Sequence, residues 1–171
     1  TLILDDIVAK KKTRVDTRKK EIPIDMVKEK ALEIVKRENE LYKGKYENPF
    51  KKALSKECLS VIGEFKKASP SKGIIVENFN IENILNYYNF MKVDAFSILT
   101  EEDYFKGKDE YIKKINSLSN TPILRKDFVI DFYQIYEAKI LGASGILLIV
   151  SVLGEELGKY FEEAKKFNLQ P

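Results

Sequence analysis

An α/β fold built on a parallel sheet is predicted by three features of the 171-residue sequence. From Cys58 onward, short apolar runs alternate with longer segments of helical periodicity. The runs are continuously apolar rather than strictly alternating, as strands buried on both faces are. Polar and charged residues gather where the runs end. Repeated strand–helix units place helices outside a parallel sheet.

The segment before Cys58 reads as helical. Leu4, Ile7 and Val8 mark one helix face, and Lys10–Lys20 reads as a solvated helix end and loop. Pro23 precedes a second helix, about Asp25 to Glu38, with Val27, Ala31, Ile34 and Val35 on one side. Asn48 caps a short third helix, Pro49 opens it, and Phe50 and Leu54 face inward. A strand at Leu59–Phe65 then precedes a helix from about Ile81 to Met91. A second strand, Ala95–Thr100, precedes a helix at Asp109–Leu118. Pro122–Arg125 is a third strand, and the helix after it is opened by Asp131 and Gln134 at capping-box spacing and closed by Gly142. Gly145–Val150 is a fourth strand and Glu155–Phe167 a fourth helix.

Two architectures fit this order, an open doubly wound sheet and a closed (β/α)8 barrel. No G-x-G-x-x-G or Walker A pattern follows a strand, which disfavours an open nucleotide-binding sheet. The polar strand ends favour the barrel. A barrel takes about 250 residues, and only four strand–helix units are present. The sequence stops at Asn168-Leu-Gln-Pro171, where a fifth strand is expected to start. Residues 1–57 are therefore expected to form a helical extension, and residues 58–171 the first half of a barrel.

Composition narrows the function classes. The chain is 44% hydrophobic and 33% charged, with no apolar run long enough to span a bilayer and no signal-peptide pattern at its start. Its net charge of +3 comes from lysines interleaved with acids, which does not indicate nucleic-acid binding and suits a small anionic substrate. Histidine is absent, so acid–base chemistry falls to Glu, Asp, Lys or Tyr. The one cysteine, Cys58, excludes an internal disulfide, fits a cytoplasmic location, and reads as a small core residue.

Side chains two apart on a strand share a face. Ser60, Ile62, Glu64 and Lys66 thus point inward, and Leu59, Val61 and Phe65 point toward helices. Lys126 ends the third strand with Leu124 below it on the same face. Two lysines and one carboxylate converge at the carboxyl ends of the strands, where barrel active sites lie. Periodicity alone leaves a catalytic set and a structural Glu–Lys pair equally open.

The segments "VIGEFKKASPSKGII", "SILTEEDYFKG" and "PILRKDFVIDFYQIYEAKILGASGILLIV" resemble, in order, the signature segment and the second to fourth strand–helix units of the indole-3-glycerol-phosphate synthase family. The opening "ILDDIVAKKKTRVD" is similar to that family's N-terminal extension. The resemblance covers nearly the whole chain and implies a TIM barrel and a lyase of tryptophan biosynthesis. The reaction it implies closes the indole ring of 1-(2-carboxyphenylamino)-1-deoxyribulose 5-phosphate, with loss of carbon dioxide and then water, and needs no cofactor or metal. It makes Lys126 the general acid at the carbonyl. Lys66 binds the anionic groups, with a further part in dehydration. Glu64 holds the lysines and is the local base. Ser69 and Ser71 are hydroxyl contacts to substrate, or else shape the turn around Pro70. Phe105, Phe128, Leu147 and Ile149 form the apolar wall around the aromatic ring. Glu101 is a weaker candidate.

The family's remaining half supplies a second glutamate, further polar groups and phosphate donors that this sequence lacks. The expected partners are therefore a phosphorylated small molecule and either the absent half of the barrel or a further copy of the chain. The first residue, Thr1, also suggests a cut piece. Two rival classes stay open, a Schiff-base aldolase using Lys126 and a non-catalytic half-barrel.

Overall fold

The computed structural model describes residues 2–171. Three helices lead, α1 (Leu2–Glu21), α2 (Ile24–Leu41) and α3 (Pro49–Leu54). Strand β1 (Ile62–Phe65) follows, then a small antiparallel hairpin of β2 (Ala68–Ser69) and β3 (Gly73–Ile74), then α4 (Ile81–Phe90). The order continues with β4 (Ala95–Leu99), α5 (Asp109–Leu118), β5 (Ile123–Lys126), α6 (Phe132–Leu141) and β6 (Gly145–Ile146). A short α7 (Val150–Leu153), a 3-10 turn and α8 (Leu157–Lys166) complete it. The main sheet is parallel throughout, in the order β1-β4-β5-β6. Gln170 adds to it as a parallel bridge beside Gly145. No helix among the described residues is long and apolar enough to cross a membrane.

Two apolar clusters bind helices to the sheet. One joins Phe65, Phe96, Ile98 and Ile123 to Ile81 and Leu85 of α4 and Ile112 and Ile115 of α5. The other joins Val27, Ala31 and Val35 of α2 to Tyr133 and Tyr136 of α6, Ala164 and Phe167. The opposite sheet face carries Ile62, Glu64, Lys66, Leu124 and Lys126, all exposed or half-buried.

Local chemistry explains several boundaries. Asp131 and Gln134 form the reciprocal capping box of α6, and Gly142 ends it at φ 92°. Gly63 admits the Tyr88 ring, since a Cβ there would lie 2.8 Å from it, and the Tyr88 hydroxyl donates to the Glu64 carbonyl at 2.7 Å. The Asn48 Oδ1 caps α3 by accepting from Lys51 N at 2.9 Å. Its Nδ2 donates to the carbonyls of Ser144 (2.8 Å) and Asn168 (2.9 Å). Phe50 thereby lies over Leu124 and Gly145 at the amino ends of the strands.

The structure departs from the sequence expectation in six places. The first strand starts only at Ile62: Leu59 is 87% exposed and Cys58 is exposed rather than in the core. Here the backbone pairs with Asp94 through Val61 N and O while the side chains turn outward. Ser60 donates to the Ala53 carbonyl rather than lining the inner face. Leu54 is exposed because α3 ends as Phe50 docks. Lys10–Lys20 is no loop but lies within α1, where Lys11 and Val15 are buried. The fourth strand stops at Ile146, where the chain turns into α7, and the hairpin β2–β3 stands where a plain loop was expected.

Asn48→Ala should destabilise the full-length gene product by about 2–3 kcal/mol, roughly 1 for the cap and about 1 for each part-buried carbonyl bond. Urea unfolding measures this, and a change under about 0.5 kcal/mol would rule out a tethering role for Asn48.

Candidate active site

Strand alternation sets the site. Gly63 and Phe65 of β1 turn to the helices, leaving Glu64 on the other face, with Lys66 two residues on. On β5, Ile123 and Arg125 are buried, while Leu124 and Lys126 share the face of Glu64. β4 lies between the two strands, with Ser97 in register with both Glu64 and Leu124.

The three charged groups meet. The Lys126 ammonium donates to Glu64 Oε2 at 2.6 Å, and Lys66 Nζ lies 3.1 Å from Oε1. The Ser97 hydroxyl donates to Oε2 at 3.2 Å. Burial pushes the Glu64 carboxyl up, and the two lysines outweigh it and hold the group below its ordinary range. In this state Glu64 is a weak base and a strong orienting anion. All three side chains keep about a third of their surface open to solvent. The site thus presents two cations on one carboxylate, suited to proton donation and to anion binding.

The other expected residues fall on the loops around this cluster. Phe105, after β4, and Phe128, after β5, lie with ring centroids 6.1 Å apart, both half-buried. Leu147 and Ile149 follow β6 and are half-buried, outside any regular strand. Ser69 is half-buried in β2, and its hydroxyl accepts from Lys72 N at 3.3 Å, a turn-shaping bond. Ser71 is exposed in the hairpin turn. Glu101 is consumed by its own loop: its carboxylate accepts from Asp103, Tyr104 and Phe105 N at 2.7–2.9 Å. That loop returns tightly at Gly107, where a Cβ would lie 2.3 Å from the Leu99 carbonyl oxygen.

Behind the site lies a buried ionic network that periodicity does not disclose. Arg125, fully buried, reaches Asp109 at 2.9 Å, the Gln134 carbonyl at 3.0 Å and the Thr100 hydroxyl at 3.2 Å. Asp127 accepts from Thr100 Oγ1 at 2.7 Å and pairs with Lys11 of α1 at 2.8 Å. Burial raises the Asp127 carboxyl, but Lys11 and Arg125 outweigh it and hold it low. Glu137 goes the other way, since burial lifts it above the carboxylate range despite Arg125 and Arg18. The sequence signs of this network are the outward positions of Arg125 and Asp127 on a strand whose inward positions are Leu124 and Lys126.

The family model for indole-3-glycerol phosphate synthase matches residues 4–171. Proteins named indole-3-glycerol phosphate synthase from Thermoanaerobacter pseudethanolicus, Thermoanaerobacter sp. and Clostridium kluyveri are similar to the chain at 49%, 48% and 46% identity. The alignments cover 98–99% of this chain and 60–62% of those proteins, so the chain spans about three-fifths of the length of these relatives.

A carboxyl whose folded pKa is depressed stabilises in full above its unfolded pKa, about 3.9 for Asp, and loses that contribution as pH falls through the folded value. Asp127 and Asp103 carry this sign, and Glu137, being raised, carries the opposite one. Asp127→Asn should therefore lower the urea midpoint at pH 6 and flatten its fall below about pH 4. A variant whose midpoints run parallel to wild type throughout would exclude Asp127 as a contributor.

Proposed function

Because the chain belongs to the indole-3-glycerol phosphate synthase family, we propose that its full-length gene product is a cytoplasmic lyase of tryptophan biosynthesis. It converts 1-(2-carboxyphenylamino)-1-deoxyribulose 5-phosphate into indole-3-glycerol phosphate, carbon dioxide and water. The observation that carries the reading is the 2.6 Å Lys126–Glu64 pair, with Lys66 on the same carboxylate, at the carboxyl ends of neighbouring parallel strands. Residues 58–171 form the first half of a (β/α)8 barrel in this reading, and residues 1–57 its helical extension. The bridge of Gln170 to Gly145 supports a fifth strand beginning there.

The chemistry follows from the groups present. The aryl carbon bearing the carboxylate attacks the ribulose carbonyl, and Lys126 delivers a proton to the carbonyl oxygen as charge develops on it. Carbon dioxide leaves with the restoration of aromaticity, and loss of the new hydroxyl as water completes the indole. Lys66 holds the substrate's anionic groups and assists dehydration. Glu64 keeps both ammonium groups oriented and is the local base, a weak one while both lysines hold it. Phe105, Phe128, Leu147 and Ile149 wall the aromatic ring, and Ser69 and Ser71 offer hydroxyls at the rim.

In the full-length gene product, Lys126→Ala should lower kcat by about 10²–10⁴-fold, as removal of a general acid does. Lys66→Ala should act more on KM, because an anion ligand also binds the ground state. Fluorescence of the product indole reports both, and a Lys126→Ala enzyme within about tenfold of wild-type kcat, roughly 1.4 kcal/mol, would remove the acid assignment. The 171-residue chain made alone should be catalytically silent and self-associate through its uncovered apolar face and sheet edges. Sedimentation and the same assay check this, and a monomer with normal turnover would overturn the half-site reading.

A further inference from the structure

Asp127 follows Lys126 directly and points to the opposite side of β5. Its carboxylate is 1% exposed and is filled by three donors. Lys11 Nζ lies 2.8 Å from Oδ1, Phe128 N donates to Oδ1 at 2.7 Å, and Thr100 Oγ1 donates to Oδ2 at 2.7 Å. Thr100 N also donates to the Lys126 carbonyl at 3.2 Å. The backbone that directly follows the Lys126 side chain is thus tied to one buried anion and its partners.

Lys11 comes from α1, which carries none of the groups assigned to the reaction. Its side chain is 1% exposed, between the buried Ile7 and Val15 of the same helix. An apolar pair in place of Lys11 and Asp127 would pack at least as stably, because a buried ion pair seldom exceeds its own desolvation penalty. What the pair adds is direction. Neighbouring residues of α1 hold the other rim loop as well: Arg14 makes two bonds to Asp103 at 2.7 and 2.9 Å and one ion pair to Glu102, and Lys10 lies 4.6 Å over the Tyr104 ring. These two loops carry Phe105 and Phe128.

We propose that Lys11 is a positioning residue, whose ion pair with Asp127 sets the end of β5 so that Lys126 is aimed across the sheet at Glu64. The inference rests on the reading of Lys126 as the acid. It makes docking of α1 a condition for the geometry of the proton donor, with no contact between α1 and the reacting atoms.

The test compares Lys11→Met and the double variant Lys11→Met/Asp127→Asn with wild type, in the full-length gene product. The single variant leaves Asp127 with Arg125, 4.0 Å away, as its remaining cation and is the one at risk of misfolding. The double variant removes both charges and carries the test if the single one does not fold. The expected result is a kcat lowered at least 30-fold in the double variant, with KM changed less than threefold and an unchanged near-ultraviolet circular dichroism spectrum. A double variant with wild-type kcat, or one whose loss is confined to KM, overturns the proposal. Lys126→Ala separates this outcome from failure of the acid assignment. An inactive Lys126→Ala enzyme beside a fully active double variant sinks the positioning role alone, whereas an active Lys126→Ala enzyme removes the premise.

Discussion

The pleat of β5 puts charge on both of its faces, and the rest of the structure is arranged around that fact. Lys126 faces the open side with Leu124, and Arg125 and Asp127 face the helices. Ionic groups removed from water are tolerated only when partners surround them. Arg125 finds them on α5 and α6, in Asp109 and the Gln134 carbonyl, and directly after β4 in the Thr100 hydroxyl. Asp127 finds them just past the end of β4, in Thr100, and on α1, in Lys11. Four elements are thereby locked to the strand that presents Lys126. An apolar pair in place of Arg125 and Asp127 would pack against the same helices without specifying their rotation.

On the open face the balance is reversed. Glu64 is the single acceptor for two ammonium groups and the Ser97 hydroxyl. The cluster keeps a net positive character while each lysine has a defined direction, which combines attraction for an anion with a fixed donor. The aromatic pair Phe105–Phe128 stands on loops that are themselves bonded from beneath, by Glu101 in one case and Asp127 in the other. The rim is therefore built from buried carboxylates that hold loop amides, not from the packing of the loops on one another.

Much of the fold was legible because its determinants are local. Asp131, Gln134 and Gly142 define α6 within a dozen residues, and Asn48 with Pro49 defines the start of α3. Glu64, Lys66 and Lys126 were legible as inward-facing residues through the two-residue period, but their meeting depends on the register of two strands against β4, which no local pattern carries. Helix α1 was misread for a physical reason. Its inward positions, Leu4, Ile7, Val8, Lys11, Arg14, Val15 and Arg18, keep helical spacing, yet three of the seven are cations neutralised by distant acids. Hydrophobic periodicity cannot register a buried face whose burial depends on ion pairing. Cys58 and Leu59 failed in the opposite sense, as apolar residues beside a strand that begins only once the chain has passed Asp94.

The long reach of α1 also bears on how the chain acquires its structure. Its partners Asp103, Asp109, Asp127 and Asp131 all lie in strand–helix units made much later, with 112 residues separating Lys19 from Asp131. At about 5–20 residues per second of synthesis, that interval is roughly 6–22 s. For that time the basic face of α1, with Ile7 and Val15 among its cations, lacks the carboxylates that it pairs with in the folded chain. Contacts so distant in sequence carry a high loop-closure cost, and α1 cannot complete its ion pairs until those later units have been made. The positive charge along its face keeps the waiting helix soluble, a benefit that an apolar face of the same shape would not give the nascent chain.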